Sequence, residues 1–452
     1  MQRKRLVFPF SAIVDLNKLK LAILINAINP KIGGLLIKGP KGSGKSTIVR
    51  ALADILPRIK IVEDCPFNCN PDDLSNVCSA CIEKLQEVQK LQIEEKKMVV
   101  VNLPLGATED RVVGSLDVEK AIKKGVAALE PGILAEANQN ILYVDEVNLL
   151  PDHIADDLLD AAATGWNIIE REGISVSHPS RFIFVGTMNP EEGELRPQLL
   201  DRFPLSINVK RIASPKERME VVKRNIAFED NPEEFHGKYQ PLQGELHNRI
   251  LQARELLEKV EMPEKLLETI CNACLELKVD GLRPDIAIAK AASTLAAFEN
   301  RKKVTLNDVL VAAELALSHR TRKGGFLEPA TQQETNEVFT STAKKLKYIE
   351  ETGKTTEEEV KKKEHLKGKA LFLVMKDATK KEEEKVKKKN IWNKLQKGKF
   401  KILFRLTNLF RGVFFGIGKR LRKGSEDMPV TDGVQVGSDK LRGKTYKDEA
   451  QV

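Results

Sequence analysis

The sequence predicts an α/β fold in which a parallel sheet lies between two layers of helices, followed by an all-helical domain and a charged, partly disordered C-terminal tail. Three observations lead to this prediction. Short apolar runs alternate with helix-like segments up to about residue 210, residues 245–320 carry only helical periodicity, and Lys and Glu dominate residues 340–390. Short apolar strands separated by helices are typical of a buried parallel sheet with helices on both faces.

Each element is assigned from its own pattern. Apolar runs bounded by polar or turn residues predict strands, and periodic apolar positions such as Ile250, Leu257 and Leu295 predict helices. The runs cover residues 35–38, 98–101, 141–144 and 182–185, and a helix is expected over 45–55. The predicted organisation is an α/β core over 1–212, a linker over 213–244, a helical lid domain over 245–325, a Lys/Glu-rich linker over 326–390, a basic amphipathic segment over 391–423 and a polar tail over 424–452.

The positive charge of the chain is concentrated in one segment. The 452 residues carry a net charge of +9, yet residues 391–423 alone hold ten Lys or Arg and no acid, which leaves −1 for the rest. Because the folded body has no basic surplus, the composition argues against nucleic acid as a partner. No apolar run approaches the roughly 18 residues that a membrane-spanning helix needs, and the N-terminus does not resemble a secretory signal. A cytoplasmic location is therefore expected.

A phosphate-binding loop follows the first predicted strand. Residues 39–46 fit the pattern G-x-x-x-x-G-K-[ST], with a strand before and a helix after. Backbone N–H groups of such a loop surround the phosphates at the positive end of the helix, while the lysine contacts the β- and γ-phosphates and the serine binds Mg²⁺. The alternative is a chance glycine-rich turn. The predicted nucleotide-binding residues are Gly39, Lys41, Gly42, Ser43, Gly44, Lys45, Ser46, Thr47 and Asp145, with Ser46 and Asp145 holding Mg²⁺.

Polar side chains end two further strands. Asp145 and Glu146 follow four apolar residues, so their carboxylates are expected at the carboxyl edge of the sheet beside the phosphate loop. We expect Asp145 to hold the Mg²⁺ through water and Glu146 to polarise the attacking water. Asn189 ends another strand and is expected to orient that water. The alternatives are a helix-capping acid pair and a turn-forming Asn before Pro190.

Two arginines, Arg196 and Arg202, lie outside the sheet pattern. An arginine that no local element requires is a candidate finger for the nucleotide of a neighbouring subunit. The alternative is a surface ion pair between Asp201 and Arg202.

Four of the six cysteines form a local cluster. Cys65, Cys69, Cys78 and Cys81 fall within 17 residues as two closely spaced pairs. Such pairs predict a tetrahedral four-thiolate Zn²⁺ site, with an iron–sulfur cluster or unligated thiols as the alternatives. Cys271 and Cys274 share one helical face and are expected in the core.

Together these motifs resemble the AAA+ ATPases, and more narrowly the ATPase subunit of magnesium chelatase. The resemblance runs from Phe8 to about Arg322, and its most specific stretches are residues 103–110, 129–137, 143–150, 186–193 and 195–203. It implies the AAA+ P-loop three-layer sandwich with a helical lid. It also implies ATP and Mg²⁺ as cofactors and a motor that couples ATP hydrolysis to metal insertion into a tetrapyrrole.

The resemblance further implies a ring, expected to be a hexamer, that works with companion chelatase subunits. Nucleotide would bind at each subunit interface, with Arg202 as the finger acting in trans and Arg283 as a sensor acting in cis. Residues 114–140 and a hairpin over 166–177 would transmit the nucleotide state to the partner. One departure is Asp15-Leu16, where the family often has Gly-Gln. The alternative function is a chaperone-like AAA+ ATPase that remodels or matures a metalloenzyme client.

The basic segment 391–423 has an amphipathic pattern. Ile402, Leu406 and Leu409 fall on one side of a helix, and Lys401 and Arg405 fall on the other. Contact with an anionic membrane surface or with an acidic partner is expected, which would make the protein peripheral to the membrane in the first case. The alternative is a solvated tail.

Overall fold

The computed structural model describes residues 6–88, 91–116, 129–171, 174–320, 322, 328–346 and 348. All of them belong to one compact unit, Met1–Ala378. The basic segment 391–423, the polar tail 424–452 and most of the predicted linker 326–390 lie outside the described residues, as do the predictions made for them.

The central sheet is parallel, as predicted, and has five strands: the four predicted runs and the strand Leu205–Asn208, which was not predicted. Eleven strands are described in all: β1 (Leu35–Lys38), β2 (Ile59–Val62), β3 (Ile93–Lys96), β4 (Val100–Leu103), β5 (Gly114–Leu116), β6 (Leu129–Pro131), β7 (Ile141–Val144), β8 (Trp166–Arg171), β9 (Ile174–Pro179), β10 (Ile183–Met188) and β11 (Leu205–Asn208). The sheet order is β11–β1–β10–β7–β4. Since β1, β10 and β7 are neighbours, the segments that follow them meet at one edge.

The two faces of the sheet are buried in separate cores because side chains alternate along each strand. Leu35, Ile37 and Val185 pack into the first core, and Leu36 and Phe184 pack into the second. The first core includes the helices Asn17–Ile28 and Lys45–Leu52, and the second includes Ile133–Ala137 and Asp152–Thr164. This arrangement is the expected three-layer sandwich.

Three antiparallel pairs stand outside the central sheet. β2 pairs with β3, β5 with β6 and β8 with β9. The β8–β9 hairpin pairs Trp166 with Pro179 and Arg171 with Ile174, so the predicted hairpin over 166–177 is confirmed and extends two residues further.

The lid is built from helices that follow the sheet. They cover Glu264–Glu276, Arg283–Phe298, Leu306–Leu317 and Gln332–Lys345, while shorter helices of the core cover Ser79–Val88, Glu109–Val113 and Pro197–Arg202. A capping box between Thr305 and Asp308 starts the third lid helix. Arg301 donates to both oxygens of Asp308 at 2.7 and 2.8 Å and so holds this helix start in place.

Residues 213–244, expected to be a linker, are helical. Helices cover Pro215–Asp230 and Pro232–Leu257. The first buries none of its residues: its apolar positions at helical spacing, Met219, Val222 and Ile226, are each about half exposed and stand among many charged residues. The second continues through Pro241, a residue that usually breaks a helix.

Residues 332–345, also expected to lie in a linker, form the last lid helix. Phe339 and Ala343 of this helix are fully buried in the first core. Conversely, only one of the two lid cysteines is in the core: Cys274 is buried and Cys271 is exposed. Among the described helices, none is both long and apolar enough to cross a bilayer.

Candidate nucleotide-binding site

The phosphate loop lies between β1 and the helix Lys45–Leu52. Gly42 and Gly44 have φ angles of +73° and +82°, which favour glycine. Gly39 is required for another reason: a Cβ there would lie 2.7 Å from the backbone oxygen of Val209. The loop can therefore present its backbone N–H groups at the start of a helix, where anions bind.

The lysine of the loop bonds to the loop itself. Lys45 Nζ donates to the carbonyl oxygens of Gly39 and Pro40. Partial burial lowers the pKa of Lys45, while the nearby carboxylates of Asp145 and Glu146 oppose this effect. A bound phosphate would be an additional acceptor for this ammonium group.

The acid pair follows β7, next to the loop. Asp145 Oδ1 accepts hydrogen bonds from Tyr143 Oη at 2.9 Å and from Thr187 Oγ1 at 2.5 Å. Both bonds orient the carboxylate in the way that ligands of a bound cation are commonly oriented. The Glu146 backbone N–H donates to Thr187 Oγ1 at 3.1 Å, and Glu146 has a φ of +58°, a left-handed conformation that is unusual for a glutamate.

Lys41 connects Glu146 to a second carboxylate. Its Nζ lies 3.6 Å from Glu146 Oε1 and forms a closer ion pair with Glu192. The hydrogen bond with Glu192 raises the pKa of Lys41 and lowers that of Glu192. Sequence reasoning missed Glu192, although it lies only three residues after Asn189.

Asn189 is buried at the end of β10, and its Oδ1 accepts a hydrogen bond from the Glu191 backbone at 3.3 Å. The expected residues of three separate strands are thus brought together at the carboxyl edge of the sheet.

A cavity of about 980 Å³ opens over this edge. Its lining includes all the predicted nucleotide-binding residues except Gly39, together with Glu146 and Asn189. The opposite wall comes from the N-terminal segment, including Ile13 and Leu16, and from the helix Pro215–Asp230. Both an apolar surface and cations are therefore available to a nucleotide. The cations that sequence reasoning missed are Lys210, Arg211, Arg218 and Arg224.

The departure at Asp15-Leu16 has a backbone consequence. Both residues have positive φ, +56° and +57°, which costs energy in residues other than glycine. The buried Lys20 Nζ donates to the Ile13 carbonyl oxygen at 2.5 Å and holds the chain just before this turn, and burial lowers the pKa of Lys20 to about 7. The turn places Leu16 at the cavity wall.

The predicted arginines do not line this cavity. Arg202 donates to Asp160 at 2.7 Å and lies 3.2 Å from Asp156. Asp201, considered above as the partner of Arg202, instead pairs with Arg283 at 2.7 Å and with the buried Arg320. Arg196 pairs with Asp152 at 2.6 Å.

The sequence is similar to those of known proteins over most of its length. A magnesium-chelatase subunit ChlI homolog of Methanocaldococcus jannaschii is 59% identical over 328 residues, which are 73% of this chain and 89% of that protein. The chain belongs to the magnesium-chelatase subunit I family of AAA+ ATPases. The ChlI subunits of Euglena gracilis and of a Nostoc species are 50% and 51% identical to it, each over 71% of this chain and over 92% and 86% of their own lengths.

Two family models agree with this membership. The AAA domain of the dynein-related subfamily matches residues 81–203, and the AAA lid domain matches residues 267–340. The lid of this ChlI-family chain therefore continues past residue 325. The chain is also similar to one chain of a solved complex of BchI and BchD of magnesium chelatase, with 44% identity and a TM-score of 0.43. The match covers 74% of this chain and 100% of that chain.

The four clustered cysteines form a second candidate site, in the segment between the phosphate loop and β4. Their sulfur atoms all lie within 4.8 Å of one another, and Cys65 Sγ is 3.9 Å from Cys78 Sγ. A zinc ion with four thiolates at about 2.3 Å spaces its sulfurs roughly 3.8 Å apart. The Cys78 backbone N–H donates to Cys69 Sγ at 3.1 Å, and hydrogen bonds with the other thiols, that of Cys69 first, lower the pKa of Cys65. The donor set and the spacing both fit one metal ion.

Proposed function

We propose that this chain is the AAA+ ATPase motor subunit of a magnesium-chelatase-like complex, coupling ATP hydrolysis to the insertion of a metal ion into a tetrapyrrole. The observation that carries the proposal is the joint position of the phosphate loop, the acid pair and Asn189 at one edge of the sheet, in a chain 59% identical to a ChlI homolog. The relatives are named as subunits, which supports a companion chelatase subunit as the partner.

Each residue at the site has a role in this proposal. The loop amides and Lys45 hold the phosphates, and Ser46 and Asp145 hold Mg²⁺, which supplies charge neutralisation on the phosphate oxygens. Glu146 takes a proton from the attacking water, and Asn189 orients that water. Lys41 lies where it can exchange its carboxylate partners for a phosphate oxygen.

The proposed function is tested with the full chain. The purified protein is expected to hydrolyse ATP, and affinity capture on the tagged chain from its own cells is expected to recover a large tetrapyrrole-binding subunit. Recovery of a metalloenzyme without any such subunit would contradict chelation and favour the chaperone-like alternative. A chain that retains no nucleotide would contradict both functions.

We also propose a homo-oligomeric ring, a hexamer, in which Arg202 reaches the nucleotide of the next subunit and Arg283 acts within its own subunit. Arg202 is 30% exposed, and its ion-pair partners among the described residues are the exposed carboxylates of Asp156 and Asp160. Exchange of these solvated partners for a phosphate costs little free energy. Arg202 lies outside its own cavity, as a finger for the next subunit would. Arg283 also lies outside it, so its role within its own subunit requires that it exchange Asp201 for the phosphate. Size-exclusion chromatography with light scattering, with and without ATP, tests the ring.

We further propose that the four-cysteine site holds one structural Zn²⁺. The four sulfurs would fill all positions of a tetrahedral ion, as in closed structural sites. Metal analysis after mild purification is expected to find about one zinc per chain, and a C78S/C81S variant is expected to lose it. C271S, outside the cluster, should keep the metal. Iron with visible charge-transfer absorption would indicate an iron–sulfur cluster at this site and not Zn²⁺. The absence of both metals would contradict the site.

A further inference from the structure

The four-cysteine segment, residues 65–81, contacts three separate parts of the α/β core. We call this segment the knuckle. It touches the residues just before β7, the β8–β9 hairpin and the residues just before β10. These contacts converge on β7 and β10, the two strands that lead to Glu146 and Asn189.

The first set of contacts reaches the segment that enters β7. Asn138, which is fully buried, donates from Nδ2 to the carbonyl oxygens of Phe67 and Asn68 at 2.8 and 3.1 Å. Gln139 Nε2 donates to the Asn68 carbonyl oxygen at 2.8 Å. A buried amide donor such as that of Asn138 is destabilising when it loses its acceptors. The knuckle backbone therefore satisfies polar groups that lie just before the strand carrying the acid pair.

The second contact reaches the hairpin. The Phe67 ring stacks on the His178 imidazole of β9, with ring centroids 4.8 Å apart and planes at 12°. His178 is fully buried, and its Nε2 accepts from Asn167 Nδ2 of β8 at 2.9 Å while Nδ1 donates to the Pro179 carbonyl oxygen. Asn167 also donates to the Val113 carbonyl oxygen at 2.8 Å. One side chain of the knuckle thus packs on the residue that links both strands of the hairpin.

The third contact reaches the start of β10. Arg181 forms an ion pair with Asp73 of the knuckle at 2.7 Å, and its backbone N–H donates to Asn138 Oδ1 at 2.9 Å. The same buried asparagine therefore contacts both the knuckle and the entry to β10.

We propose that the metal-bound knuckle positions the β8–β9 hairpin. The metal would hold Phe67 against His178 and Asn68 against Asn138. These contacts would set the position of the hairpin relative to β7 and β10. This inference rests on the proposed metal site. The knuckle has a small apolar cluster of its own, formed around three of the cysteines with Val62, Val77 and Leu91. A metal crosslink of residues 65 and 81 removes the conformational freedom that such a small cluster cannot remove by itself.

The test uses hydrogen–deuterium exchange of the hairpin amides in the full-length protein, together with zinc content. F67A removes the stacked ring and keeps all four thiols. We expect F67A to retain its zinc while hairpin amides exchange at least about tenfold faster. Extraction of zinc from the wild-type protein should give the same increase. L85A is the matched control, since Leu85 packs on the cysteine cluster from the helix Ser79–Val88 and should leave hairpin exchange unchanged.

The outcomes separate the two proposals. Unchanged hairpin exchange in F67A and in the zinc-free protein would contradict positioning of the hairpin by the knuckle, and would leave the proposed metal site unaffected. An equal increase in L85A with zinc retained would show that the effect of F67A is not specific to the Phe67–His178 contact, and would overturn the role given to that contact. If the wild-type protein contained no metal at all, both the metal site and the metal-dependent positioning of the hairpin would be contradicted. ATP binding, measured in parallel, shows whether each variant keeps its nucleotide site.

Discussion

At the residue scale, Lys41 is the group whose surroundings most directly suggest a change on nucleotide binding. Its ammonium group lies between the carboxylates of Glu192 and Glu146 at the edge where the phosphates are expected. A bound phosphate carries more negative charge than a carboxylate and would compete for the Lys41 ammonium. The attraction between Lys41 and its two carboxylate partners would then weaken. Glu146 would then be free to act as a base.

Replacement of Lys41 tests this exchange. We expect K41A to lower kcat/KM for ATP by about tenfold, because a cation near the γ-phosphate is lost. Steady-state ATPase assays across a range of ATP concentrations measure the change. K60A is the control, since Lys60 is also an exposed lysine paired with a carboxylate, that of Asp72 at 2.8 Å. An unchanged kcat/KM in K41A would remove Lys41 from the site.

Glu146 has the most specific predicted role. We expect E146Q to bind ATP as the wild type does and to lose at least about 100-fold in turnover, because the amide cannot accept the proton of the attacking water. Nucleotide retention and phosphate release are measured on the same preparation. E194Q, an exposed acid near the same edge, should hydrolyse ATP normally. Undiminished turnover in E146Q would reassign the base.

At the element scale, the phosphate loop depends on its close approach to the end of β11. Because a Cβ on Gly39 would lie 2.7 Å from the Val209 carbonyl oxygen, G39A must shift either the loop or β11. We expect a destabilisation of about 1–3 kcal/mol and weaker ATP binding. Urea unfolding and nucleotide titration measure the two effects. G106A is the control, since nothing lies within 4 Å of a Cβ there, and a fully tolerated G39A would contradict the packing argument.

The junction between the lid and β11 should respond to pH. His319 Nε2 donates to the Phe203 carbonyl oxygen at 2.8 Å, and complete burial lowers the pKa of His319 from 6.5 to about 3. The unfolded chain therefore binds a proton below pH 6.5 that the folded chain refuses until about pH 3. Stability from this residue is present above pH 6.5 and is lost as the pH falls through this window.

The size of this effect is measurable. Because His319 stays neutral in the folded chain, the free energy of unfolding should fall by about 2 kcal/mol when the pH is lowered from 7 to 5. Urea unfolding at the two pH values measures the loss, and H319Q should reduce it. An equal loss in H319Q would place the acid sensitivity elsewhere, for example at the buried His178, whose pKa burial also lowers.

At the scale of the whole molecule, the ring is best tested by mixing variants. E146Q subunits lack the base but keep Arg202, and R202A subunits have the opposite defect. If Arg202 acts in trans, each variant alone should be inactive, and a random equal mixture should restore about one active interface in four. ATPase activity of the mixture measures this. No recovery on mixing, or full activity of R202A, would contradict a finger in trans.

The local motifs were predictable because their geometry follows from short stretches of sequence. The phosphate loop lies between a strand and a helix, and Asp145 and Asn189 end buried strands, so a parallel sheet necessarily brings them to one edge. Weak or misleading local signals account for the differences. The helix Pro215–Asp230 buries no residue, and Pro241 lies within a helix that packing on the lid stabilises.

The sequence by itself therefore determined the nucleotide fold, the loop residues, the acid pair and the presence of a four-thiol cluster. Only the tertiary structure decided that Asp201 pairs with Arg283 and not with Arg202, that Lys41 joins Glu146 to Glu192, and that Phe67 stacks on His178. The physical reason is the separation along the chain. Phe67 and His178 are 111 positions apart, and their meeting depends on how the knuckle and the hairpin pack, which no local pattern encodes.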